Sequence, residues 1–308
     1  MTPVTPPTAK MPLRGEFRVD LAMAQHVSWR AGGAIARAYF PADRDDLGAF
    51  LHNLRHDEPL LFVGLGSNLL VRDGGFDGTA VFTHGALKTL HLEASGLIYA
   101  EAGVASPKLA RFAANHDFSD AEFLAGVPGT VGGALAMNAG CYGHETWDFV
   151  EKLLMVDRHG ALIERNPSEF SVAYRHVGLN AACDEWFAGA WLRFPPGDGP
   201  AARERIRALL ESRIKSQPLS LANAGSVFRN PPGDHAARLI EAAGLKGCTI
   251  GGARVSEMHS NFIVNPDSAA TASEIEMLID HVRDVVGEKF GVELRREVRI
   301  VGERLRNE

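Results

Sequence analysis

Gly126-Val127-Pro128-Gly129-Thr130-Val131-Gly132-Gly133-Ala134, with Asn138-Ala139-Gly140 close behind, is the stretch that decides how this chain reads. Five glycines fall in the fifteen positions from Gly126 to Gly140, a density that favours close approach of backbone to a ligand. Glycine-rich backbone also lets neighbouring N–H groups point outward together, which suits a pyrophosphate. Upstream, Gly64-Leu65-Gly66-Ser67-Asn68 has the same character. Two such loops predict a large dinucleotide cofactor held between them. Neither is a common nucleotide motif. The longer loop has no lysine for a P-loop. Leu69 stands where a Rossmann fingerprint needs its third glycine.

Working outward, the 308 residues suffice for two or three domains. Apolar content of 45% and charged content of 23% are those of a soluble globular protein. The net charge of −6 speaks against general nucleic-acid binding. Cys141, Cys183 and Cys248 are far apart, so neither a zinc site nor a disulfide framework is expected. No apolar run is long enough to span a membrane. Pro3, Pro6, Pro7 and Pro12 crowd the first sixteen residues, which read as a loose leader without an apolar signal core. A cytoplasmic location follows as an expectation.

The pattern divides into a leader over 1–16, then 17–82, 83–198 and 199–308. Leu47, Phe50, Leu51 and Leu54 make a helical stripe, and Leu60 to Val63 reads as a strand feeding the first glycine loop. Leu92 to Tyr99 reads as a hairpin. Ser106-Pro107 predicts a helix start with serine as N-cap. Leu153 to Val156 and Ala161 to Ile163 form a second hairpin, and Phe187 to Phe194 another strand. The Pro195-to-Pro200 cluster is the clearest boundary. Beyond it come a basic helix over about 202–214, a short helix capped by Asp234, and a capping box at Thr271 and Glu274 opening a long helix. A closing strand over about 292–301 carries Glu297.

Other residues invite a chemical reading. Gly225-Ser226-Val227-Phe228-Arg229-Asn230-Pro231-Pro232 exposes a serine on a tight loop. Phe228 rules out the G-x-S-x-G elbow. Tyr174-Arg175 follows a strand-like run, and Glu297 sits among Arg295, Arg296 and Arg299. Ser256 to Phe262 places His259 and Asn261 beside an apolar run, near a strand end. No second His or carboxylate has helix-face spacing to His259, so no metal is expected.

In their order, Trp29 to Gly33, Gly64 to Phe76, Gly126 to Gly140, Tyr174-Arg175, Gly225 to Pro231, Gly251 to Asn265 and Glu297 resemble the UDP-N-acetylenolpyruvoylglucosamine reductases, in their shorter type II branch. The resemblance covers about 28–302. It implies an α+β protein, with a two-part FAD-binding domain of the vanillyl-alcohol-oxidase type and a C-terminal α+β substrate-binding domain. FAD would be non-covalent, with its pyrophosphate held by Gly64, Gly66, Ser67, Asn68, Gly126, Pro128, Gly129, Thr130, Gly132, Gly133, Ala134, Asn138 and Gly140. NADPH and the enolpyruvyl ether of UDP-N-acetylglucosamine would use one flavin face in turn, giving UDP-N-acetylmuramate for peptidoglycan synthesis. The resemblance assigns the C2 proton to Ser226 and enolate stabilisation to Arg175 and Glu297. It implies substrate contacts from Tyr174, Lys215, Asn230, Arg238 and His259, and a monomer is expected. This chain departs from the pattern at Arg295, where many relatives carry a carboxylate, and at Ser28, where threonine is usual. Two other readings compete. One is an oxidase with flavin tethered at His84 or Cys141. The other is a flavin or UDP-sugar binding protein without turnover.

Overall fold

A computed structural model describes residues 12–181 and 183–305. Most of the leader, with Pro3, Pro6 and Pro7, lies outside the described residues. Its end does not read as loose. Arg14 N donates to Asp46 Oδ1 at 2.7 Å, Gly15 N donates to Tyr39 Oη at 3.1 Å, and a strand already begins at Glu16.

Three sheets organise the chain. The first has the strand order Glu16–Ala22, Ala34–Phe40, Phe76–Phe82, Leu60–Val63. Its outer pair is antiparallel and the other two pairings are parallel. A parallel pair needs a crossover, and helix Arg44–Asn53 supplies it. Asp43 caps this helix by accepting from Asp46 N at 2.9 Å, and Leu47, Phe50 and Leu51 pack on Tyr39 and Val81.

The second sheet is antiparallel throughout, in the order Leu162–Arg165, Val150–Asp157, Glu185–Leu192, Ile98–Glu101, Leu90–Leu92. Helix Ser106–Asn115 covers it with Leu109, Ala110 and Ala113. Ala105, not Ser106, is the N-cap, and the buried Ser106 hydroxyl finds no partner in the protein. Helix Gly199–Ser216 buries Ala202 and Ile206 in the same core. The basic helix that the sequence places at the head of the C-terminal part therefore packs on the middle of the molecule.

The third sheet runs Ala222–Asn223, Ile263–Asn265, Ala253–Val255, Thr249–Ile250. Helices Ala236–Ala242 and Ala272–Phe290 back it. The Thr271–Glu274 capping box forms as the sequence predicts. Two N-terminal motifs anchor this layer. Trp29 is fully buried in it and donates Nε1–H to Ile263 O at 2.8 Å. Asp73 accepts from Ala272 N and Ser273 N at 2.9 and 2.7 Å, at the start of the long helix.

The closing strand is shorter than expected. Only Arg299–Val301 is a strand, pairing in parallel with Leu69–Val71. Glu297 lies just before it, in a segment joined to the serine loop by a single Phe228–Arg296 bridge. The chain end thus returns to the strand that leaves the first glycine loop, which carries Glu297 to the two loops.

Candidate active site

The two glycine loops form one wall. Ser67 Oγ donates to the Pro128 carbonyl. A Cβ on Gly64 would stand 2.5 Å from Thr130 Oγ1, so only glycine permits this approach. Gly66 has φ 63°, in the left-handed region, and its carbonyl accepts from Ser28 N at 3.1 Å. In the longer loop, Val131 N and Gly132 N donate to Val104 O and Ala102 O, each at 2.8 Å. Thr130 Oγ1 accepts from Gly133 N at 3.4 Å. The Val131 and Gly132 N–H groups brace the loop against the segment leaving strand Ile98–Glu101 and Gly133 N–H turns back on the loop, where the glycine density alone suggests that all of them face a ligand.

The wall opens on a cavity of about 570 Å³. Gly64, Gly66, Ser67, Asn68, Gly126, Pro128, Gly129, Thr130, Gly132, Gly133, Ala134 and Gly140 line it, as do Arg175, Ser226 and Glu297. It extends past Phe62 and Trp186, whose rings stack at 4.7 Å. Asn138 is buried beside the cavity without lining it. A second cavity of about 610 Å³ adjoins the first and shares Ser67, Pro128, Arg213 and Gly225 with it.

Arg175 sits at the tip of the hairpin formed by Phe170–Ala173 and His176–Leu179, with φ 53°. Its Nε donates to Glu297 Oε1 at 3.1 Å, Nη1 to Asn138 O at 3.2 Å and Nη2 to Gly140 O at 2.6 Å. Three acceptors from two directions fix the planar fork. Burial raises the Glu297 carboxyl above its ordinary range, against the opposing pull of Arg175 and Arg229. Ser226 follows Gly225, whose φ of 76° and open Cβ side turn the loop sharply. Val227 N donates to Asn261 O at 2.9 Å, and Glu297 N donates to Val227 O at 2.8 Å. The serine and glutamate segments therefore travel together.

The proposed substrate contacts do not converge here. Tyr174 is 44% exposed and its ring lies 4.9 Å from the Arg175 guanidinium carbon. Lys215 is exposed on its helix and lines neither cavity. The Asn230 side chain accepts from Ala236 N at 3.1 Å, and Arg238 is paired with Asp234. His259 packs on Phe262 at 4.7 Å, and burial lowers its pKa. Asn261 does not reach the cavity either. It holds the serine loop, accepting from Phe228 N at 3.0 Å and donating to Phe228 O at 2.8 Å.

The structure brings in residues the sequence reading passed over. Arg213, in the last turn of helix Gly199–Ser216, and its C-cap Gln217 line the main cavity, with Arg213 Nε donating to Gln217 Oε1 at 3.0 Å. Their i,i+4 spacing was the available signal. Arg299 also lines it. Of the two tether candidates, His84 turns Nδ1 to Gly103 O at 3.2 Å and does not line the cavity. Cys141 lines it, but burial pushes its thiol up to about 11, so the reactive thiolate is suppressed.

A glycine-built cradle beside a half-buried Arg–Glu pair on an α+β chain is what a flavin-dependent oxidoreductase needs, and comparison with known proteins places the chain in that class. Residues 35–166 match the model of the FAD binding domain. Residues 217–301 match that of the UDP-N-acetylenolpyruvoylglucosamine reductase C-terminal domain. The chain is 57% identical over 305 residues to the UDP-N-acetylenolpyruvoylglucosamine reductase of Thiobacillus denitrificans, covering 95% of this chain and 94% of the relative. It is 53% identical over 291 residues to that of Legionella pneumophila, covering 94% and 95%. A crystal structure of the Thermus caldophilus reductase superposes with a TM-score of 0.78 at 30% identity, over 94% of this chain and 99% of that one. The chain belongs to the UDP-N-acetylenolpyruvoylglucosamine reductase family.

Proposed function

We propose that this protein reduces the enolpyruvyl ether of UDP-N-acetylglucosamine to UDP-N-acetylmuramate, with NADPH as the electron source. The observation that carries the reading is the Arg175–Glu297 pair, at 3.1 Å, on the wall of the cavity that the glycine cradle and Ser226 also line. The cradle fits FAD. Its loops approach where only glycine fits, and the cavity is open beside Gly133 and Gly225. Gly64, Gly66, Gly129, Thr130 and Gly133 would hold the cofactor, and the lining aromatic Trp186 would meet one of its ring systems. When bound, FAD supplies a hydride, taken from NADPH, to the vinyl carbon C3.

The protein's own groups handle the charge and the proton. Hydride addition at C3 leaves negative charge at C2 and on the carboxylate. Arg175 is a preorganised cation there, fixed by Glu297, Asn138 and Gly140 before substrate arrives. A carboxyl beside that charge helps only as a donor, and the burial of Glu297 favours its protonated form. Ser226 delivers its hydroxyl proton to C2, completing the lactyl ether. Tyr174, Lys215, Asn230, Arg238 and His259 line neither cavity, and the reading does not rest on them. Division of the chain near residues 82 and 198 belongs to the same reading: the strands of separate sheets run over 16–82, 90–192 and 222–265, while helix Gly199–Ser216 packs on the second sheet. A monomer belongs to the same reading. Among the described residues, no helix is long and apolar enough to cross a membrane.

Ser226→Ala tests the reading. Reduction of the flavin by NADPH should stay within about twofold of the parent, while reoxidation by the enolpyruvyl substrate falls about 10²–10⁴-fold, the usual contribution of a positioned acid. Equal losses in both half-reactions would remove Ser226 as the acid.

A further inference from the structure

Arg175 lies between two carboxylates. Glu297 Oε1 is 3.1 Å from Nε, and on the other flank Glu145 Oε1 is 3.9 Å from Nη1. Glu145 is also tied to Arg175 indirectly. Its Oε2 accepts from Asn138 Nδ2 at 2.7 Å, and the Asn138 carbonyl accepts from Arg175 Nη1 at 3.2 Å.

Asn138 is 2% exposed and left-handed, with φ 41°. Its Nδ2 also reaches Ala173 O at 3.4 Å, two residues before Arg175, and its Oδ1 accepts from Trp147 N at 3.2 Å. One side chain thus links the end of helix Val131–Met137, the turn after Glu145 and the end of the strand that leads to Arg175. Glu145 is fixed in turn by a capping box with Asp148, whose carboxylate accepts from Glu145 N at 2.8 Å.

The two carboxylates differ in their surroundings. A guanidinium removed from water needs a counter-charge. Were Glu297 its only partner, a proton there would leave Arg175 facing a neutral group. The Glu145 side chain is 36% exposed against 19% for Glu297. A negative charge is therefore better hydrated on Glu145.

We propose that Glu145, directly and through Asn138, is the counter-ion and positioning residue of Arg175, leaving Glu297 free to carry a proton during turnover. The proposal rests on the reading of Arg175 and Glu297 given above. Glu297 is faced by Arg175 from the hairpin and by Arg229 from the serine loop. Glu145 is faced by Arg175, Asn138 and the Asp148 turn.

Glu145→Gln keeps the shape and removes the charge. Arg175 is then balanced by Glu297 alone and holds it ionised. The pH above which reoxidation by substrate fails should fall by about one unit, with flavin content and reduction by NADPH unchanged. The infrared band of the protonated Glu297 carboxyl, identified by its loss in Glu297→Gln, should disappear over the same lower range. Glu145→Asp, which keeps the charge, should recover most of the shift. An unchanged pH limit and band in Glu145→Gln, with Glu297→Gln itself crippled in reoxidation, would overturn the counter-ion alone. Full reoxidation by Glu297→Gln would overturn the site reading and this proposal with it. Should Glu145→Gln not fold, the parent still decides, because absence of the protonated Glu297 band at every pH that supports reoxidation overturns the proposal.

Discussion

The glycine cradle and the Arg175–Glu297 cluster face one cavity and are built in opposite ways. The cradle is backbone. Its loops are neighbours of one another, joined from Ser67 to Pro128, and braced by strands on either side. The cluster is side chain. Arg175, Ser226 and Glu297 come from a hairpin tip, a loop held by Asn261 and a returning chain end, 122 residues apart between Arg175 and Glu297. A site built chiefly of backbone is most sensitive at its glycines. A side-chain site fails when one atom moves. The comparison therefore predicts two kinds of damage, loss of the cofactor in one region and loss of chemistry with the cofactor retained in the other.

The largest effect should come from Gly66→Ala. A Cβ there runs into the His26 carbonyl, and the residue needs φ 63°. Left-handed backbone alone costs about 1–2 kcal/mol. The purified variant should be largely colourless, with a thermal midpoint lower by about 5 °C or more. A yellow, stable Gly66→Ala protein would break the claim that backbone geometry sets the cradle.

Arg175→Lys sharpens the other half. A lysine keeps the charge and loses the fork to Glu297, Asn138 and Gly140. Reoxidation by substrate should fall about 10²–10³-fold, as for loss of a preorganised donor, with flavin binding intact. Colour lost together with rate would mean that the two regions are not separable.

Arg213→Ala against Lys215→Ala gives a smaller contrast on one helix. Arg213 lines both cavities and Lys215 neither. Arg213→Ala should cost about tenfold or more in kcat/KM, as for one hydrogen bond from a charged group. Lys215→Ala should stay within about twofold, and a larger loss would return Lys215 to the substrate site.

The smallest effect concerns stability. Burial raises the Glu297 carboxyl in the folded state, so the folded protein binds this proton more tightly than the unfolded chain. That contribution is fully present below the unfolded value, about 4.3, and is lost as pH rises through the folded value. Glu297→Gln should therefore gain thermal midpoint relative to the parent at neutral pH, by about 1–2 °C, and the gain should vanish on acidification. A gain that grows on acidification would contradict the burial argument.

The same contrast explains what the sequence discloses. Gly64 to Asn68 and Gly126 to Gly140 were legible because glycine density is itself the cause of the close approach. Thr271 and Glu274 marked a helix start because the capping box is local. The α+β class follows from such local signals together with the ordered motifs. Glu297 was not legible as a site residue from its surroundings. Its neighbours Arg295 and Arg296 suggest a solvated charge ladder, and only the long-range pairing of Arg299–Val301 with Leu69–Val71 brings it inside. Asn261 and Asn138 read as ligand contacts because polar residues beside a site look alike in sequence, whether they touch the ligand or hold the loop that does. Lys215 and Arg213 differ by two residues, and helix phase alone separates them.

The central claim is that one cavity accepts electrons from NADPH and returns them to the enolpyruvyl ether. Anaerobic half-reactions test it most directly: the purified yellow protein is bleached with one equivalent of NADPH, then mixed with UDP-N-acetylglucosamine enolpyruvate while the oxidised flavin band is followed. The account predicts rapid return of the yellow colour without oxygen, together with stoichiometric UDP-N-acetylmuramate. Bleaching that persists in the presence of substrate would contradict it.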